Sequence, residues 1–124
     1  MPHPQEGKRI KRANSDLIYL ILDGERRHIP SWEAYTRLFE NNNWAEWDVS
    51  ELEKIPLGRE FDANVALVAG RRTEGRKVFL RDGSTYRWIR NPDAMRRYDF
   101  SFERVKWDSV AEDFTANGPD ITEQ

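Results

Sequence analysis

Residues 18–35, IYLILDGERRHIPSWEAY, and residues 77–95, KVFLRDGSTYRWIRNPDAM, share one grammar. At a spacing of 60, Tyr19 matches Phe79, Leu20 matches Leu80, Arg27 matches Arg87, His28 matches Trp88, Ile29 matches Ile89, Ser31 matches Asn91 and Ala34 matches Ala94. The Asp-Gly pair slips by one residue between them, from Asp23-Gly24 to Asp82-Gly83, as expected where a hairpin loop absorbs an insertion. Downstream, Ser50-x-x-Glu53 and Ser109-x-x-Glu112 read as capping boxes 59 residues apart. A repeated unit of this size cannot bury its apolar face alone, so two units must share a core. The 124 residues are therefore expected to form one domain of two repeats, at about 7–60 and 61–118, with a frayed N-terminal arm and a frayed C-terminal tail.

Within a repeat the local signals are those of hairpin followed by helix. Leu17 to Leu22 is a β-branched and aromatic run that ends at Asp-Gly, and RRHI returns from the turn; Val78 to Leu80 and YRWI do the same. Ser31 and Asn91 then read as N-caps, the second followed by Pro92 at the first helical position. Ala34, Tyr35, Leu38 and Phe39 have helical spacing, as do Ala94, Met95 and Tyr98, and both sets should face the hairpins. A further helical turn is expected at each capping box, with Leu52 and Ile55 or Val110 and Phe114 facing inward. The predicted fold class is α+β: each repeat a short antiparallel β-meander with one or two short helices, the two packed pseudo-symmetrically over an aromatic core.

Composition removes several kinds of chemistry. There is no Cys, which excludes disulfides, thiolate metal sites and a Cys nucleophile, and His3 and His28 are the sole histidines, too few for a histidine-rich metal centre. No run of about 18 apolar residues could span a bilayer, so membrane insertion is not expected. The N-terminal MPHPQEGKRIKRAN lacks the apolar stretch of a secretory signal, which fits either a cytoplasmic chain or a segment of a longer precursor. With 20 basic and 22 acidic residues the net charge is -2, giving no global case for nucleic acid as a partner. The Gly-containing stretches match neither phosphate-loop pattern, and no base stands beside a nucleophile, so the expectation is no cofactor, no metal and no catalytic residue.

In the first repeat the order of the apolar strand IYLILDG, then RRHIPS, a helix, a Trp and VSELEKIPLG is similar to a repeat of bacterial cell-surface and cell-wall proteins that often flanks peptidoglycan amidase domains. Tyr19, Leu20, Gly24, Arg27, Ile29, Pro30, Ser31, Trp44, Pro56 and Gly58 carry the resemblance. The second repeat departs from it, with Trp88 and Arg90 in place of His28 and Pro30, Phe102 near the place of Trp44, and no Pro after Phe114. The resemblance implies an accessory, non-catalytic module on or near a cell surface.

Five Trp, four Tyr and six Phe in so hydrophilic a chain suit a glycan ligand, because aromatic faces pack on sugar C–H surfaces while planar polar groups read hydroxyls. Trp32 and Trp88 are the candidate platforms: Trp32 stands at a helix start where its counterpart is Pro92, and Trp88 alternates with Ile89 along a strand. Arg27 and Arg87 are the candidate polar readers of the ligand, and the competing role for them is to bridge a carboxylate such as Asp23 or Asp82. Core packing is the competing role for any one Trp, and the expected role for Trp44, Trp47 and Trp107. An alternative partner is an acidic protein bound by the Arg-rich face of the second repeat, since residues 71–106 hold 11 basic and 5 acidic side chains.

Overall fold

The computed structural model describes residues 3–70, 77–108 and 116–123. It is an α+β fold, and its described residues form two four-stranded sheets. In the first sheet β1 (Arg9–Arg12), β2 (Ile18–Leu22) and β3 (Glu25–His28) make an antiparallel meander, followed by helix α1 (Trp32–Leu38), strand β4 (Trp44–Trp47) and the short helix α2 (Val49–Leu52). The second sheet holds β5 (Ala66–Gly70), β6 (Val78–Asp82) and β7 (Thr85–Ile89), then helix α3 (Pro92–Arg97), a 3-10 turn at Phe102–Arg104 and β8 (Lys106–Asp108). Strand order is β3-β2-β1-β4 in one and β7-β6-β5-β8 in the other.

Each sheet is mixed, which corrects the expectation of a purely antiparallel meander. After the helix the chain returns as a fourth strand parallel to the first, β4 beside β1 and β8 beside β5. A parallel partner needs a crossover, and the helix supplies it. WAEW carries two strand-compatible Trp but no β-branched residue, and four residues are too few to set a strand apart from a packed loop.

Both hairpin turns contain two residues, because Leu22 pairs with Glu25 and Asp82 pairs with Thr85. The two turns are equally long, so no insertion separates the two hairpins, contrary to the reading of the Asp-Gly slip. The dipeptide instead occupies different places: Asp23 (φ 57) and Gly24 (φ 76) form the first turn, whereas Asp82 is the last residue of β6 and Gly83 (φ 65) opens the second turn. The two aspartates consequently differ in surroundings, with side chains 54% exposed at Asp23 and 3% at Asp82.

The inner faces of both sheets supply one core. Leu20 and Leu22 from the first and Leu67 and Leu80 from the second are fully buried in a single cluster with Ile29, Tyr35, Leu38, Phe39, Ile89 and Met95. Each such side chain removed from water contributes about 1.5–3 kcal/mol. Helix α1 crosses between the sheets: Arg37 donates from Nε to the Val65 carbonyl (3.0 Å), Ser101 donates its backbone N–H to the Leu38 carbonyl (2.8 Å), and Phe39 stacks on Phe100 at 5.8 Å. On the outer face of the first sheet, Ile10, Tyr19 and Ile21 are covered by Leu52 and Ile55.

Ser31 and Asn91 cap α1 and α3, accepting from the backbone N–H of Ala34 (3.1 Å) and Ala94 (2.9 Å). The second helix starts elsewhere than expected. Asp48 is its N-cap, accepting from Glu51 N–H at 2.9 Å, and Ser50 lies within the helix with its hydroxyl donated to the same carboxylate oxygen. Asp outcompetes Ser here because its carboxylate accepts both donors at once. The equivalent Ser109-x-x-Glu112, with Val110 and Phe114, lies outside the described residues.

Neither terminus is frayed where the structure describes it. Residues 3–8 are anchored through Gly7, whose N–H donates to the Ile21 carbonyl (2.9 Å), and through Glu6, whose carboxylate accepts from the N–H groups of Asp23 (2.7 Å) and Gly24 (2.8 Å). The C-terminal segment covers the edge of β7: Ile121 is buried and donates to the Trp88 carbonyl at 2.8 Å. Residues 56–58 cover the edge of β3 in the same way, through Arg26. Covered edges present no free backbone groups to another chain.

Candidate functional site

Arg27 and Arg87 lie side by side with the core, not on a ligand-facing surface. Both are buried, and each reaches across to the other sheet: Arg27 pairs with Asp82, and Arg87 forms a two-pronged pair with Asp23 at 2.7 and 3.0 Å. Their remaining donors go to backbone carbonyls, Arg27 Nε to Arg59 (2.7 Å) and Arg87 Nε to Pro119 (2.7 Å). Asp82 also accepts from Arg59 Nη2 (3.0 Å) and from the N–H of Asp62 (2.7 Å). The two guanidinium groups thus join the sheets, and the role of ligand readers does not fit their geometry.

Trp88 is half-buried on the outer face of the second sheet, packed with Tyr86 against Phe79 and Val68. Lys77 Nζ and the Arg90 guanidinium carbon sit 4.5 and 5.4 Å from its ring centroid. A ring already serving two cations has little free face for a ligand. Trp107 takes part in β8; Trp44 and Trp47 are partly buried against the two clusters of the first sheet.

Trp32 is different. At the first position of α1 it is 54% exposed, stacked on Tyr35 with ring centroids 4.9 Å apart and planes 8° from parallel. The stack borders a groove of about 720 Å³ at the end of the first sheet, whose walls include Lys11, Asp16, His28, Pro30 and Trp44. Its size is within the range of small-molecule sites. The support beneath it is rigid: Tyr35 meets Trp44 edge-on at 5.8 Å, accepts from Arg9 Nη1 (2.8 Å) and donates to the Asn41 carbonyl (2.5 Å). Burial pushes the Tyr35 phenol above its usual range while the Arg9 charge opposes the shift, so the hydroxyl stays protonated. Arg9 is itself held by Asn41 and by Asp99, which follows α3.

The groove's charged residues are mostly paired within the chain. Lys11 lies 3.6 Å from Glu46, and His28 Nδ1 is 2.5 Å from Glu60. Asp16 is exposed. Around the second sheet the matching positions to Trp32 and Tyr35 hold Pro92 and Met95, and the register of β8 puts Val105 where Trp44 stands. Sequence reasoning found Trp32 through its mismatch with Pro92; Trp44 it assigned to packing, because its joint role in the groove depends on a strand that no local pattern announces.

Among the described residues, no group of three or more His, Asp or Glu could hold a metal ion, and no helix is long and apolar enough to cross a membrane. In the Arg-rich stretch 71–106, Arg90 pairs with Asp120 and Arg96 with Asp93; Arg71, Arg72 and Arg76 lie outside the described residues. Comparison with protein-family models, with curated proteins and with solved structures finds no match to this chain.

Proposed function

We propose that the chain is a non-catalytic binding module for a cell-wall or other glycan, built from two repeats that pack pseudo-symmetrically, with the ligand seated on Trp32. The observation that carries this reading is an exposed Trp held flat on a buried Tyr at the mouth of a groove. The stack on Tyr35 fixes the orientation of the ring and leaves its other face to solvent, whereas the matching position 92 holds Pro. A fixed, flat ring offers a sugar its C–H face at small entropic cost, and the paired charges around it leave hydrogen-bonding edges for hydroxyls. The resemblance of the first repeat to cell-surface repeats agrees with such a ligand.

The division of labour is unequal. The first repeat supplies the groove, and the second supplies Asp99, which holds the Arg9 beneath Tyr35. Retention on purified cell walls and insoluble polysaccharides at low and high salt tests the reading. Salt-resistant retention that Trp32→Ala abolishes and Trp88→Ala leaves intact supports it, since stacking on a neutral surface is not screened. No retention on any matrix refutes it. Retention that collapses steeply with salt and ignores Trp32→Ala would point to the alternative, an acidic protein partner for the basic face.

A further inference from the structure

The groove does not end at its own rim. The turn that joins β1 to β2 forms one wall, and on the far side of that turn lies a second hollow of about 450 Å³, bordered by Arg12, Asn14, Asp48 and Val49. Ser15 borders both hollows. Lys11 and Arg12 are successive strand residues and therefore project to opposite faces of the sheet, one toward each hollow. A ligand long enough to occupy both must pass over the turn at Ser15.

Three polar side chains at this crossing are uncommitted among the described residues, whereas the Ser15 hydroxyl accepts from the N–H of Leu17 (3.2 Å). Most arginines around the core are taken: Arg9, Arg27 and Arg87 by carboxylates, Arg37 by carbonyls. Arg12 has no partner among the described residues, although it is half-buried and borders the hollow. Asn14 is exposed, holds the left-handed conformation (φ 60) and also has no side-chain partner among the described residues, so its carboxamide stands free at the apex. Asp16 is equally free on the groove side.

Charge balance indicates what crosses. In the second hollow Arg12 is offset by Asp48, whose carboxyl is held below the usual range by the N–H of Glu51 and the Ser50 hydroxyl, and so stays ionised. In the first, Lys11 and His28 each have a carboxylate neighbour. Neither hollow presents a field of one sign to attract a polyanion. A set of free donors and acceptors beside an aromatic face matches hydroxyl groups, which both donate and accept.

We propose that the ligand is an extended, uncharged glycan chain that crosses the β1–β2 turn, one part stacked on Trp32 and the next held by Arg12 and Asn14. This rests on the glycan reading of the groove and adds to it the length of the ligand, its charge and two residues outside the groove. Calorimetric titration with cello-oligosaccharides and with N-acetylglucosamine oligomers, from disaccharide to hexasaccharide, tests it. Affinity should rise about tenfold or more once the oligomer spans both hollows, as one added pair of hydrogen-bonded contacts would give. Asn14→Gly keeps the left-handed backbone available and removes only the carboxamide. It and Arg12→Ala should erase the gain for long oligomers while leaving the disaccharide unchanged.

Affinity that does not depend on length, or a length gain that survives both substitutions, overturns the proposal while Trp32-dependent disaccharide binding leaves the glycan site standing. Preference for an oligogalacturonate of equal length over the neutral chain overturns its uncharged character. Binding of a proline oligomer with no response to any oligosaccharide removes both the extension and the glycan reading beneath it.

Discussion

Replacing Asp82 by Ala probes how the two sheets are joined. The carboxylate is 3% exposed and accepts from Arg27, from Arg59 and from the N–H of Asp62, so its loss strands the buried Arg27 guanidinium. Removing one member of a buried ion pair costs about 3–5 kcal/mol, most of it the penalty of the charge left behind. Arg27 keeps its Nε bond to the Arg59 carbonyl and its stacking over Phe61 at 4.1 Å, which places the expected loss near the lower end, at about 3 kcal/mol. The equivalent substitution Asp23→Asn serves as the comparison. That side chain is 54% exposed, and Asn tolerates the positive φ at this turn and keeps a carbonyl oxygen to accept from the buried Arg87, so the cost should be smaller, at about 1 kcal/mol. Urea denaturation followed by Trp fluorescence measures both. The double substitution Arg27→Met with Asp82→Ala should recover much of the loss, since no unpaired charge remains buried. Equal, small costs for Asp82→Ala and Asp23→Asn would refute the reasoning, because they would mean that burial does not distinguish the two pairs.

Other expectations are independent of that seam. Tyr98 is buried and donates to Glu6 at 2.5 Å, and both burial and that carboxylate raise its pKa well above the ordinary 10.0. A folded-state pKa raised in this way stabilises the protein fully below pH 10.0 and progressively less as pH rises beyond it, so denaturation midpoints should fall in that range and Tyr98→Phe should flatten the fall. An unchanged slope in the variant would place the titration elsewhere. Gly7 holds φ +86, and a Cβ there would meet the Arg97 carbonyl oxygen at 2.5 Å. Gly7→Ala should therefore destabilise by about 2 kcal/mol or more, read from the same urea curves. Ser31→Ala removes the N-cap of the helix that carries Trp32 and should cost about 1 kcal/mol, with weaker glycan retention as the platform loosens.

What the residues determined by themselves is whatever depends on neighbours a few positions away. The two hairpins follow from β-branched and aromatic runs that end at Gly-containing turns, the helix starts follow from Ser31 and Asn91, and the core faces of α1 and α3 follow from spacing. Trp32 could be singled out because the matching segment of the second half has Pro92 at that position. Tertiary structure decided the rest. Arg27 and Asp82 are 55 residues apart and Arg87 and Asp23 are 64 apart, so their exchange across the sheets is fixed only by how the two inner faces meet. The same holds for β4 and β8, whose parallel pairing is set by the helix returning the chain beside β1 and β5. Capping and alternation act within a turn or a strand, whereas partner choice for a buried charge and the walls of a groove are set by desolvation, which depends on every element that excludes water from the site.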